Sequence, residues 1–260
     1  MLQLLQQRTK LIGEIGRMKR RHRAVIYVPE RERELVARLV RLSKGKLSSR
    51  VVSAVYREIL SGSRAAQGQP PIGLLQGSSG GLLSAAHKAF GACDRFAARK
   101  TWPELAKGLR SRTLSFALVT GRDLVQALRT EPPWREFTKH LNVAGEISPA
   151  GEGKSVSPIF IITPRGSGAV AKVNRIVILI ECKSTLNAIK SLLRTMPELS
   201  LLAEPLRATP ARRGLALAQL SAARTVDGAK AAGILAAAAK TADLSLSILG
   251  AYLAPEDYGG

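Results

Sequence analysis

Apolar side chains recur at helical spacing over the first 67 residues, and beyond residue 70 the pattern changes to short apolar runs alternating with helical segments. A 260-residue chain with that switch predicts an all-helical domain followed by α/β units, not one bundle or one sandwich. In the first part, Leu2, Leu5, Leu11, Ile12, Ile15 and Met18 mark a helix up to about Arg20. Pro29 followed by Glu30 opens a second helix, because proline suits the first helical position and acid suits the first turn. Leu35, Leu39 and Leu42 form its apolar face, and Lys44-Gly45-Lys46 closes it. Ser48 or Ser49 caps a third helix carrying Val51, Val52, Val55, Ile59 and Leu60.

Gly68-Gln69-Pro70-Pro71 is the composition of a linker. After it, a strand is expected at Ile72–Leu75, then a Ser/Gly loop at Gly77–Gly81 and helices near Leu82–Ala89 and Pro103–Leu109. A buried strand at Leu114–Val119 and a helix near Leu124–Leu128 complete a small α/β unit. Residues 150–157 form a second loose joint, followed by a strand at Ser157–Ile162. From Asn174 onward the expected order is strand Arg175–Glu181, helix Leu186–Met196, strands Leu199–Leu206 and Leu215–Ala222, an Ala-rich helix Asp227–Thr241 and strand Leu244–Leu253. That order, βαββαβ, is the ferredoxin-like arrangement. The fold class is therefore multidomain α plus α/β, with domains at 1–68, 72–165 and 174–254.

With only 4% aromatic residues, the cores have to be built from Leu, Ile, Val and Ala. The net charge of +21 calls for an anionic partner: nucleic acid, an acidic surface or a small polycarboxylate. Sixteen Lys and Arg against five Glu up to Pro70 place +11 of it on the helical part. Cys93 and Cys182 allow one disulfide at most and no metal-site spacing, and a reducing cytoplasm is the simplest compartment. No apolar run approaches the ~18 residues of a membrane span, and no signal peptide precedes the first helix. Disulfide scaffolds, membrane channels, zinc modules and collagen-like fibres are excluded. His22, His87 and His140 form no constellation with a nucleophile, and Gly77–Gly81 lacks the Gly-Lys-Ser/Thr of a phosphate loop.

Arg8 and Lys19 lie about three turns apart on one helix and point in nearly the same direction. Such a pair is either two solvated cations or a stripe that binds a dianion. Arg31-Glu32 sits in the first turn of the next helix, and Ser63 and Gln67 stack at i, i+4 on the third. Leu4-Leu5-Gln6-Gln7-Arg8, Gly16-Arg17-Met18-Lys19, Pro29-Glu30-Arg31-Glu32 and Ser63-Arg64-Ala65-Ala66-Gln67 together resemble the motifs of the all-helical chorismate mutases, over nearly all of residues 1–67.

The resemblance implies a rearrangement of chorismate, a dicarboxylate with an enol-ether bridge, to prephenate by a pericyclic shift, with no proton transfer, covalent intermediate or cofactor. An enzyme helps such a reaction by holding the reactive conformer and by placing donors where charge grows on the ether oxygen. By resemblance Arg8 binds a carboxylate as a fork, Lys19 and Gln67 face the ether oxygen, and Glu32 takes the ring hydroxyl. Arg31 supports that contact and Ser63 touches a carboxylate. Two departures stand out. Val28 is apolar where the family carries an acid, and the family's first helix is longer, with an arginine that reaches the partner protomer's site. The latter implies either a start upstream of Met1 or an enzyme crippled by the loss of that donor.

The remainder resembles, in eroded form, the rest of the bifunctional chorismate mutase–prephenate dehydratases. Ile72–Leu75 through Gly91 and Ser115–Val119 resemble the dehydratase's opening elements, but Gln76–Gly81 replaces its glycine-rich loop and Thr120–Leu124 departs from its substrate motif. Ser157-Pro158-Ile159 stands where the catalytic Thr-Arg-Phe would be, so no dehydratase activity is expected. The segment from Asn174 to Leu253 resembles an ACT domain whose ligand turn is replaced by Leu186-Asn187-Ala188-Ile189, where Asn lacks the bare Cα of glycine. The whole implies a cytoplasmic, dimeric chorismate mutase of phenylalanine biosynthesis, with an aromatic amino acid as a candidate effector and no membrane or nucleic-acid partner. Two rivals are a catalytically dead scaffold that binds an aromatic metabolite or a partner enzyme, and a basic nucleic-acid-binding protein.

Overall fold

The computed structural model describes residues 1–22, 24–76, 81–130, 137, 139–147, 158–165, 172–182, 186–202, 214–227 and 244–252. They fall into two compact units, Met1–Leu118 and Val119–Ala254.

The first unit begins with helices α1 (Leu2–Arg21), α2 (Pro29–Leu42) and α3 (Ser49–Ala66). Pro29 enters α2 at its start, and Lys44 and Gly45 end the chain's run after it with φ of 50° and 75°. Ser48 caps α3, its hydroxyl oxygen accepting from the Val51 N–H at 3.3 Å. Ile12 and Gly16 are the buried positions of α1, while Val52, Leu60, Ser61, Ser63 and Arg64 are those of α3.

The α/β part of the same unit holds β1 (Ile72–Leu75), α4 (Gly81–Phe90), β2 (Phe96–Arg99), α5 (Trp102–Arg110) and the start of β3 (Ala117–Thr120). Strand β1 pairs in parallel with β2 on one side and β3 on the other. Thr101 caps α5 by accepting from the Glu104 N–H. Tyr27, from the α1–α2 loop, packs on Phe90 edge-on at 5.6 Å and on Phe116 at 4.4 Å, so helical and α/β parts share apolar contacts. Gly91 seats the end of α4 on α3. Its φ is +100°, and a Cβ there would come within 2.8 Å of the Ser61 Cβ.

The second unit contains α6 (Gly121–Thr130), the antiparallel pair β4 (Leu141–Ile147) and β5 (Ile159–Pro164), and a sheet ordered β7-β8-β6-β9. Those strands are β6 (Lys172–Cys182), β7 (Leu199–Leu201), β8 (Gly214–Asp227) and β9 (Leu244–Tyr252), all antiparallel, with helix α7 (Leu186–Thr195) after β6. Ile176, Ile178, Ile180, Leu192 and Leu199 are buried in the core between the sheet and α7. The chain order strand–helix–strand–strand, then a last strand, leaves the first and third strands of the set in the centre. Most of the expected helix Asp227–Thr241 and strand residues 203–206 lie outside the described residues.

Several expectations change. Strand β2 was not foreseen because Phe-Ala-Ala-Arg carries little β preference; pairing with β1 holds it extended. Strand β4 is likewise unexpected, as Asn142 and Gly145 interrupt its apolar alternation; the ladder to β5 pairs both and takes up Ala144 in a register shift between Val143 and Gly145. Leu114 and Phe116 are buried but precede β3, which starts at Ala117. Asp227 ends β8 instead of opening a helix, because β8 continues along β6 as far as the Lys172–Asp227 pairing.

Candidate active site

Three residues of α1, spaced four apart, run along the seam with α3: Arg8, Ile12 and Gly16. At Gly16 a Cβ would lie 2.7 Å from the Gln67 Cα and 2.9 Å from its carbonyl oxygen, so only glycine lets the two backbones approach this closely. That approach sets the polar contacts. Arg8 Nη2 donates to Ser63 Oγ at 3.1 Å, and the Ser63 hydroxyl donates to the Ile59 carbonyl at 2.6 Å. Gln67 Nε2 donates to the Ser63 carbonyl at 3.2 Å, and Arg20 donates to the Gln67 carbonyl. Two buried atoms of the group, Arg8 Nε and Gln67 Oε1, have no hydrogen-bond partner among the described residues.

One turn further along α1, Lys19 is partly buried and its Nζ donates to the Ile26 carbonyl at 3.2 Å. Burial lowers its pKa from the ordinary 10.5, and repulsion from Arg31 adds to this, while the Glu32 carboxylate opposes both. Arg31 itself is exposed, and its link to the group is this field at Lys19. Glu32 is half-buried on the first turn of α2 and pairs with Arg64 of α3 at 2.5 Å. Burial raises its pKa above the ordinary 4.5; Arg64 and Lys19 work against that rise, and the Asp94 charge adds to it. Val28 occupies the N-cap of α2, where its side chain cannot cap.

Arg8, Ser63 and Gln67 are therefore joined by hydrogen bonds, Lys19 and Glu32 by their fields, and Arg64 links Glu32 to the turn of α3 that holds Ser63 and Gln67. Sequence reasoning gave Arg64, Arg20 and Asp94 no part. Arg64 is 3% exposed and carries one of the largest electrostatic burdens in the unit: burial disfavours its cation, but Asp94 and Glu32 more than offset this and push its pKa up. Its place inside the Ser63–Gln67 motif was a visible signal; the burial of Asp94 was not. Chemically, the arrangement offers a guanidinium, an ammonium, an amide, a hydroxyl and a carboxylate from three helices, suited to a small polar anion. Among the described residues no group of three or more His, Cys, Asp or Glu is placed to hold a metal ion, and no helix is long and apolar enough to cross a membrane.

Residues 1–68 match the family described as Chorismate mutase type II. The chain is 24% identical over 193 residues to the bifunctional chorismate mutase/prephenate dehydratase of Aquifex aeolicus (strain VF5), covering 71% of this chain and 51% of that protein. It thus spans about half the length of that relative. Among solved structures it is similar to a prephenate dehydratase from Streptococcus mutans, with 15% identity, TM-score 0.46, and coverage of 72% of this chain and 100% of that one. It is also similar to GqqA, described as a novel type of quorum quenching acylase, with 13% identity, TM-score 0.48, and coverage of 70% and 93%. Similarity at TM-scores below 0.5 carries no argument about the chemistry.

Gly16→Ala tests the seam. The added methyl has to push α1 off the Gln67 backbone, which is rigid, so a loss of about 1–3 kcal/mol is expected in denaturant unfolding. An unchanged midpoint in that titration would mean that α1 and α3 do not approach to backbone contact at Gly16.

Proposed function

We propose, proceeding from the match of residues 1–68 to the chorismate mutase type II family, that this chain rearranges chorismate to prephenate in aromatic amino acid biosynthesis. The observation that carries the reading is the hydrogen-bonded group of Arg8, Ser63 and Gln67 across the α1–α3 seam, beside Glu32, which is coupled by charge to Lys19 and paired with Arg64, the residue next to Ser63.

The reaction moves no proton and needs no cofactor, so the site acts by position and by charge. Arg8 binds a substrate carboxylate, and its buried Nε, which has no partner among the described residues, adds a donor to that grip. Ser63 supports the same carboxylate. Lys19 uses one of its three N–H donors on Ile26 and has two to aim at the ether oxygen, where negative charge grows as the C–O bond breaks. Gln67 faces the same oxygen after turning its amide from the Ser63 carbonyl, a movement that gives up one hydrogen bond. Glu32 accepts the ring hydroxyl, with Arg31 shaping the field. Holding the reactive conformer contributes on the order of 7–11 kcal/mol in well-oriented systems.

The reading extends to the rest of the chain. The divisions 1–68, 72–165 and 174–254 correspond to a mutase domain, a dehydratase remnant without its activity and an ACT-like domain. The strand order β7-β8-β6-β9 supports the last, with an aromatic amino acid as its candidate effector. The protein works in the cytoplasm as a dimer. Leu4, Leu11, Ile15 and Met18 support the dimer, because they form an apolar stripe on α1 that is 46–68% exposed, and Val51 and Val55 are exposed on α3 as well.

Mixing purified protein with chorismate should consume its absorbance; no loss above background would favour the dead scaffold instead. Lys19→Ala should lower kcat/KM by about 10²–10³ with the fold retained, and wild-type turnover in that variant would remove Lys19 from the site. Because the pKa of Lys19 is lowered, its neutral form appears at lower pH than for an ordinary lysine. Activity should therefore fall as pH rises through a value below 10.5, and Lys19→Arg, which stays charged, should lose that limb. Leu11→Glu combined with Met18→Glu should sediment as a monomer; a wild-type chain that already does so would sink the dimer.

A further inference from the structure

We propose that Asp94, in the α/β part of the first unit, is a positioning residue for the mutase site: it clamps the Arg64 guanidinium so that the remaining N–H arm fixes the Glu32 carboxylate. The inference rests on the mutase reading and assigns the α/β part a role in it.

The geometry is that of a fork with one free tine. Arg64 Nε donates to Asp94 Oδ1 at 3.2 Å and Nη2 to Asp94 Oδ2 at 2.7 Å, while Nη2 also donates to the Phe90 carbonyl at 2.6 Å. The guanidinium carbon lies 5.7 Å from the Tyr27 ring centroid and 5.9 Å from that of Phe90. Every one of these contacts except the Tyr27 ring comes from residues 90–94. With that side fixed, Nη1 is left pointing at Glu32 Oε2, 2.5 Å away. Asp94 is itself held by Ser61 Oγ at 2.8 Å and by Gln69 Nε2 at 3.3 Å, and its side chain is 2% exposed. Four hydrogen bonds and near-complete burial thus hold Arg64, and Glu32 takes its position from it.

Two carboxylates thus share one guanidinium. The charged groups that act on Glu32 are Arg64 from α3, Asp94 from the segment before β2 and Lys19 from α1, with Arg31 beside it on α2. Asp94 takes the two-pronged grip, so Glu32 receives a single N–H and part of the charge. Anything that loosens Asp94's hold gives Glu32 more of Arg64, and anything that tightens it gives Glu32 less. A merely structural brace would not produce opposite responses.

The pH profile of kcat/KM reads this. Glu32 accepts the ring hydroxyl as an anion, so activity falls on the acid side as Glu32 is protonated, and Glu32→Gln should abolish that limb. Asp94→Asn removes the competing charge and keeps the side-chain shape, so the limb should move down by about one pH unit. Ser61→Ala removes a donor that shares Asp94 Oδ2 with Arg64, so Asp94 draws harder on the guanidinium, Glu32 receives less of it and the limb should move up; this variant gives the answer alone should Asp94→Asn fail to fold. An unmoved limb in folded variants, or shifts of the same sign, overturns the proposal. If the wild-type chain does not turn over chorismate, the mutase reading fails instead. The carbon-13 carboxyl titration of Glu32 in the wild type and the two variants then decides whether the clamp exists, by the same pair of opposed shifts.

Discussion

A guanidinium taken out of water must be matched by anions and carbonyls on every side, since an unpartnered buried charge costs several kcal/mol. Arg64, on α3, meets that demand with Asp94, Glu32, the Phe90 carbonyl and two aromatic rings, drawn from the α1–α2 loop, α2, α4 and the segment that precedes β2. Satisfying one side chain therefore fixes four pieces of the first unit against each other. Removing one partner of such a group typically costs about 3–5 kcal/mol, more than the few tenths expected from surface pairs such as Arg57–Glu58. Gly91 makes the closure possible, because its positive φ and missing Cβ let the end of α4 lie against Ser61.

The α1–α3 seam depends on a different kind of fit. Gly16 allows backbone contact at Gln67, and that contact brings Arg8 to Ser63 and Arg20 to the Gln67 carbonyl. Cations crowd there: Arg8, Lys19 and Arg20 on one helix, Arg31 on the next. Burial lowers the pKa of Lys19 and repulsion from Arg31 lowers it further, which Glu32 opposes. A dianion bound among them would remove that repulsion as well as form contacts, which favours a substrate with two carboxylates over a neutral one.

Helices α1 to α3 were legible because their signals are local: apolar spacing, Pro29 at a start, Ser48 at a cap and Gly45 at a stop. The six candidate residues came from motif order, a pattern that needs no knowledge of packing. What could not be read is what depends on partners distant in sequence. Strand β2 is extended because β1 lies beside it, and β8 runs to Asp227 because β6 does. Gln69, within a stretch composed like a linker, is buried because Asp94 needs its amide. Asp94 looked like one acid among basic neighbours, and nothing in Cys93-Asp94-Arg95 announces a buried fork thirty residues from its partner.

The site divides its groups by how much freedom each retains, and that division has consequences for a reaction driven by position. Glu32 is held by a guanidinium that cannot itself move, so its contribution is preorganised. Lys19 is anchored through one donor and keeps two. Gln67 is bonded to its own helix and must turn, while Arg8 Nε and Gln67 Oε1 stay buried without partners among the described residues, each at a cost of about 1–3 kcal/mol. Binding an anion that engages Arg8 Nε would recover part of that cost at the moment the carboxylate arrives. On the mutase reading, the energy released there would offset the hydrogen bond that Gln67 gives up to reach the breaking ether bond. On this argument the carboxylate grip and the ether contact are coupled through the same turn of α3, and loss of Arg8 would weaken the step at the ether oxygen as well as the binding of the acid group.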